Sequence, residues 1–302
     1  MSTLKATARG LSAEPTDSSA NVTDAPREGV DAARARLERR AHGVLLTVAY
    51  DGRLFHGAAR QRALRTVAGE LDGAVQAMDP RATLVRICSR TDRGVHARAQ
   101  LVSFDTDKDI SSRGWLLGLS EHLPDELAVV QVAKVDVGLH PSHVAKRKRY
   151  EYLLLTSPSR DPFLEGRAWR HYARLDLAVM QAEALDLLGE HDFAAFRGAQ
   201  DERTETVRKI LRAELQPSVE DPRLLRFVIE GDRFMYNMVR IIMGTLVDVG
   251  RGHLQPGAMK RALASKSRDD LGMTAPPDGL YLCEIELATE QREVWPPSHP
   301  SS

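Results

Sequence analysis

An aspartate held between two arginines, Arg90-Thr91-Asp92-Arg93-Gly94, with Val95-His96-Ala97 behind it, is the segment of this chain best suited to chemistry. It follows the apolar stretch Leu84-Val85-Arg86-Ile87-Cys88, which reads as a strand, so Asp92 falls in a tight turn at a strand end. A carboxylate so placed can act as nucleophile, base or metal ligand, and the flanking guanidinium groups are expected to keep it ionised at neutral pH. The plainer alternative is a turn cap in which Asp92 bonds only to its own backbone. This segment alone does not separate the two.

A second candidate is Arg240, in the middle of the apolar run Phe234 to Val249, which reads as a buried helix ending at Gly250 and Gly252. A buried guanidinium requires an anion, and Asp92 is the obvious one. Otherwise Arg240 snorkels from a core helix to solvent. Gly244, one turn later, leaves room for another backbone or a ligand. The third candidate is Tyr150, in Arg147-Lys148-Arg149-Tyr150-Glu151-Tyr152. Basic and aromatic residues together suit an RNA site, where a base stacked on a ring gains about 1–3 kcal/mol. Equally, two strand tyrosines can pack on a core face.

Other constellations fall short. Asp105-Thr106-Asp107-Lys108-Asp109 has Ile110 and Leu116 where a calcium loop needs Gly and Glu, so these acids read as solvated loop carboxylates. His140 and His143 have Pro141 between them and no third ligand nearby, so no metal site is assigned. There is no Walker loop, dinucleotide fingerprint or His-Glu-x-x-His, and no cofactor is expected. An unrelated Asp-dependent hydrolase is disfavoured for the same reasons.

The elements that must carry these residues mix both types. Strands are expected at 43–50, up to Cys88, at 100–104, 127–133, 149–155, 207–215, 224–230 and near 280–287. Helices are expected from Thr66 as N-cap, with Val67, Leu71, Ala74, Val75 and Met78 on one face, and at 115–122, 175–188 and 234–249. Strands interleaved with helices in both halves give an α+β protein. The expected organisation is a disordered N-terminal tail at 1–41, one α/β lobe at 42–145 carrying Asp92, a second at 146–288, and a flexible tail at 289–302. Arg34 to Arg40 is a short basic helix or a loose arm.

The 302 residues are 42% hydrophobic and 28% charged, as in a globular protein, and no apolar run nears the ~20 residues of a membrane span. Met1 to Arg27 lacks the apolar core of a signal peptide, and two cysteines make no disulfide framework, so a cytoplasmic location is expected. Lys plus Arg equal Asp plus Glu at 42 each, unusual for a nucleic-acid binder. Local basic clusters, Lys146 to Arg149 and Arg86, Arg90, Arg93 and Arg98 around Asp92, fit a grip on one structured RNA.

The wording of six blocks resembles the TruA-type tRNA pseudouridine synthases. They are Tyr50-Asp51-Gly52 with Gln61 and Thr66-Val67-x-x-Glu70-Leu71; Arg90-Thr91-Asp92-x-Gly94-Val95-His96-Ala97; Lys148-Arg149-Tyr150-Glu151-Tyr152; His191-Asp192-Phe193-x-x-Phe196-Arg197; Met238-Val239-Arg240-x-x-x-Gly244-x-Leu246; and Thr274-Ala275-Pro276-Pro277-x-Gly279-Leu280-Tyr281-Leu282. The resemblance implies the pseudouridine synthase fold, two α/β lobes with mixed, largely antiparallel sheets lining a central cleft. It also implies a cofactor-free homodimer that isomerises uridine to pseudouridine in tRNA, typically in the anticodon stem-loop, with no membrane or DNA partner. Asp92 aligns with the catalytic aspartate, Arg240 with the arginine that pairs it and Tyr150 with the base-stacking tyrosine. Arg90 aligns with an arginine that helps expose or hold the target nucleotide. Arg93, His96, Arg147 and Arg149 complete the expected substrate contacts.

The chain departs from the pattern at Gly57-Ala58-Ala59, at Leu139 to Val144, at Ser89 (usually Gly or Ala) and at Arg93 (usually small). These segments are expected near RNA, so the target position is less constrained than the reaction. The alternative is an RNA-binding or chaperone-like paralogue with little or no isomerase activity.

Overall fold

The computed structural model describes residues 40–199, 201 and 204–297. The expected tail at 1–41 and the basic segment Arg34 to Arg40 lie outside these residues, apart from Arg40 and Ala41.

Among the described residues, eleven strands form one sheet. In chain order they are β1 (His42–Tyr50), β2 (Arg86–Ile87), β3 (His96–Thr106), β4 (Leu127–Val135), β5 (Ala145–Leu155), β6 (Trp169–Arg170), β7 (Gly189–Asp192), β8 (Val207–Pro217), β9 (Leu224–Gly231), β10 (Leu280–Leu287) and β11 (Arg292–Trp295). The order across the sheet is β11-β4-β1-β3-β10-β5-β9-β8-β7, with β2 added to β3 and β6 to β5. Neighbours along this row are antiparallel except β3 and β10, which run parallel through Tyr281 against His96 and Leu282 against Ala97. That short pairing joins the strands of the first half to those of the second. The α+β architecture and the mixed, largely antiparallel sheet agree with the sequence reading.

Helices α1 (Val67–Met78), α2 (Ser112–Ser120), α3 (Leu177–Leu185), α4 (Met238–Gly250) and α5 (Ala258–Ser265) complete the fold. Their starts follow capping chemistry: Thr66 accepts from the Gly69 amide, Ser111 from Gly114, and Asp176 from Ala178 and Val179. Helix α4 differs from expectation. It begins at Met238, not Phe234, because Asn237 adopts a left-handed conformation (φ 61°) and breaks the path. Residues 234–237 are therefore loop, and Arg240 stands in the first helical turn. Every α4 residue except Arg240 is buried. The space beside Gly244 is taken by backbone: a Cβ there would lie 1.9 Å from the Met273 carbonyl oxygen.

Two further corrections concern polar segments. Asp105 is no solvated loop acid; β3 runs on through it to Thr106 and its side chain is fully buried, accepting from Arg86 and the Gly138 amide. Arg292–Trp295, expected in a loose tail, pairs with β4 as an edge strand.

Candidate active site

The strand β2 runs alongside β3 with Arg86 opposite Ser103 and Ile87 opposite Val102, then leaves the sheet after Cys88. The loop that follows turns at Asp92, whose carbonyl accepts from the Val95 amide. This is the turn the sequence predicts, but the Asp92 side chain faces a cleft of about 1260 Å³ rather than its own backbone. Across the cleft the loop 233–237 and the first turn of α4 supply the facing wall.

Arg240 reaches Asp92 from that wall, Nη1 standing 3.2 Å from Oδ2, with about a sixth of each side chain exposed. The guanidinium is fixed by two more acceptors, the Ala275 carbonyl at 2.8 Å from Nε and the Asn237 Oδ1 at 2.7 Å from Nη1. Asn237 thus spends its side chain on Arg240 and leaves α4 without a side-chain cap. The pair expected from sequence is present, half-buried rather than buried, and Arg240 does not snorkel.

The electrostatics of Asp92 differ from expectation. Arg90 and Arg93 both turn outward and are exposed, so the flanking guanidinium groups do not hold the carboxylate. Burial raises its pKa above the ordinary 3.8, opposed by the charge and hydrogen bond of Arg240. Arg90 still lines the cleft and makes no hydrogen bond or ion pair among the described residues, whereas Arg93 is not part of the lining.

Tyr150 is 7% exposed and lines the cleft beside Phe234, the rings meeting edge to face at 5.1 Å and 78°. Its hydroxyl shares a 3.0 Å hydrogen bond with Ser89 Oγ, and burial drives the phenol far above its ordinary pKa, so it stays neutral. Tyr152 faces the same way, is fully buried and donates to the Pro276 carbonyl.

The other expected contacts scatter. Arg147 is clamped by Glu230, Glu284 and Glu286, and Arg149 pairs with Glu284; neither lines the cleft. Their strand alternates, which sends 147 and 149 to the face opposite Tyr150. The member of the basic run that enters the cleft is Lys148, with Nζ 3.2 Å from Ser89 Oγ. The same alternation that paired Tyr150 with Tyr152 would have found it. His96 is a buried structural residue: Nδ1 accepts from the Gly52 amide, Nε2 donates to the Gly166 carbonyl, and the ring stacks on Tyr281 at 4.6 Å. Burial lowers its pKa.

Of the departing segments, Ala58 is buried, donating its amide to the Thr91 carbonyl, while Gly57 (φ 90°) allows that close approach. Ala59, His140 and Ser142 line the cleft. His140 and His143 stack on each other at 4.4 Å, and no group of three or more potential metal ligands occurs among the described residues.

The charge balance of the cleft resolves the neutrality of the whole chain. Its lining carries seven Lys or Arg side chains and three Asp or Glu, and a cationic excess remains after Arg60 and Arg86 are paired with Asp72 and Asp105 behind the lining. Sequence alone could not show this, because Arg208 and Arg233 reach the cleft from β8 and from the turn after β9. The site combines a buried carboxylate, a fixed guanidinium, an aromatic platform and a cationic mouth. Those features suit a reaction on one base of a polyanion lifted out of its stack.

Comparison with known proteins agrees with this chemistry. The sequence model of a family described as tRNA pseudouridine synthase matches residues 184–286. A protein named tRNA pseudouridine synthase A from Shouchella clausii (strain KSM-K16) is 40% identical over 240 residues, 79% of this chain and 91% of the relative. Its namesake in Coxiella burnetii (strain Dugway 5J108-111) is 36% identical over 242 residues, 80% and 92% of the two chains. That of Bacillus subtilis (strain 168) is 38% identical over 241 residues, 79% and 96%. No helix among the described residues is long and apolar enough to cross a membrane.

Proposed function

This chain belongs to the tRNA pseudouridine synthase A family, and from that premise we infer that it isomerises uridine to pseudouridine in tRNA, acting in the anticodon stem-loop through Asp92. The observation that carries the role of Asp92 is its contact with Arg240 inside a cationic cleft that Tyr150 also lines.

The reaction exchanges one bond for another within the substrate. The glycosidic C–N bond breaks, the uracil turns while it is retained, and a C–C bond forms at the same sugar carbon. No group or electron enters from outside, so one oriented carboxylate and a cavity that keeps the detached base are sufficient. Arg240 supplies the orientation, and its charge and hydrogen bond oppose the burial that raises the Asp92 pKa. Tyr150 offers a ring face for the everted uracil, and its neutral hydroxyl brings no charge that would repel phosphate. Arg90, exposed at the mouth and without a hydrogen bond or ion pair among the described residues, meets the backbone of the displaced nucleotide. In this reading the halves 42–145 and 146–288 act as two lobes, and the working form is a homodimer.

Mapping pseudouridines in host tRNA with and without the gene tests the reading. Loss of pseudouridine from the anticodon stem-loop is expected. If tRNA from the deletion strain is unchanged while the protein still binds tRNA, the paralogue that only binds RNA is the correct assignment.

A further inference from the structure

We propose that Gln100 is a positioning residue for the loop that presents Asp92, an inference that rests on Asp92 being the acting carboxylate. The register between β2 and β3 places Arg86 opposite Ser103 and Ile87 opposite Val102. The Cys88 amide continues it by donating to the Leu101 carbonyl, so Ser89 falls opposite Gln100. Here the two backbones part, and the side-chain amide of Gln100 takes over the ladder. Its Oε1 accepts from the Ser89 amide at 3.0 Å, and its Nε2 donates to the Ser89 carbonyl at 2.6 Å. A primary amide has the donor and acceptor of a peptide group at the end of a two-carbon arm. The chain can therefore peel away from β3 without leaving either backbone group of Ser89 unsatisfied.

The same amide nitrogen lies 3.4 Å from the Tyr50 hydroxyl, which shares a 2.7 Å bond with Thr91 Oγ1. Gln100 thus holds Ser89 directly and Thr91 through Tyr50, all four residues being less than 9% exposed. Between the two held residues the chain projects Arg90 outward, and after them it presents Asp92 to Arg240. Ser89 carries the constraint further, since its hydroxyl meets both the Tyr150 phenol and the Lys148 ammonium. One buried amide therefore fixes the carboxylate relative to the aromatic platform. Misplacement of a reacting group by about 1 Å can lower a rate by about a hundredfold.

The test is steady-state kinetics of the full-length protein on a tRNA transcript, with thermal melting recorded for every variant. Gln100→Leu removes both bonds to Ser89 and is expected to lower kcat by about tenfold or more with KM within about twofold. Tyr50→Phe, a milder change that keeps the buried ring, is expected to lower kcat by about threefold with KM unchanged, and it carries the test if Gln100→Leu does not fold. A kcat within about twofold of the parent in a folded Gln100→Leu, or a loss expressed in KM alone, overturns the proposal. Should Gln100→Leu fail to fold, an unchanged kcat in Tyr50→Phe overturns it. Asp92→Asn, measured in parallel, separates the two levels. If it is inactive while the Gln100 and Tyr50 variants turn over normally, only the positioning role fails. If it is active, the assignment of Asp92 itself fails.

Discussion

The two walls of the cleft are held together by different forces. On the loop side, Cys88 to Thr91 are fixed mainly by neutral hydrogen bonds among Tyr50, Ser89, Thr91, Gln100 and Tyr150, all of them buried, to which the Lys148 ammonium adds a contact with Ser89. On the other side Glu205 pairs with Arg208 and Arg233, and Arg233 with Asp232; of these only Arg208 has a side chain shielded from solvent. Dry neutral bonds ignore ionic strength and set geometry, whereas exposed ion pairs are weak and screened by salt. The buried bonds set the shape of the first wall, with Arg90 exposed at its edge, and the second wall adds further cations for a polyanion. Arg240 crosses between them.

Among changes that leave the carboxylate itself in place, breaking that crossing should have the largest effect. Arg240→Ala strips Asp92 of its partner and leaves the Ala275 carbonyl without a donor; activity is expected to fall by about a hundredfold and stability by about 2 kcal/mol, read by kinetics and chemical denaturation. Unchanged activity and unfolding midpoint would remove Arg240 from the account. Next comes the platform. Tyr150→Ala is expected to lower activity by about fiftyfold and Tyr150→Phe by only a few-fold, because stacking needs the ring and the hydroxyl only tethers it. Equal losses in both would show the hydroxyl to be the working group.

The smallest effects sharpen the contrast between cations that meet substrate and cations that brace the sheet. Arg90→Ala should raise KM by about fivefold and lower the salt dependence of binding by about one ion. Arg147→Ala should leave both unchanged and cost about 1 kcal/mol of stability at most, since Arg147 is occupied by three glutamates. A salt slope altered by Arg147→Ala and unmoved by Arg90→Ala would reverse the assignment.

Much of this arrangement is readable in the chain because local chemistry dictates it. Thr66 announces α1, the alternation of β5 puts Tyr150 beside Tyr152, and an arginine inside the apolar run 234–249 demands an anion. What the sequence conceals is what depends on partners distant in the chain. The outward turn of Arg90 and Arg93, the three glutamates on Arg147, and the burial of Asp105 against Arg86 all follow from the order of strands across the sheet. The same holds for Gln100, an unremarked strand residue until its register opposite Ser89 is known. Asn237 is concealed for another reason: nothing local marks a left-handed residue within an apolar run that otherwise continues as helix.

The role of the carboxylate is decided by Asp92→Asn, assayed for pseudouridine formation on a tRNA transcript and for stability across pH. Activity should fall by about a thousandfold or more with tRNA binding retained. Because burial raises the Asp92 pKa, the folded state binds a proton more tightly than the unfolded one, and the parent loses stability as pH rises from the ordinary 3.8 through the folded value. The Asn variant should therefore be at least as stable as the parent at neutral pH, with the difference shrinking in acid. Pseudouridine formation by Asp92→Asn at the parental rate would contradict the account.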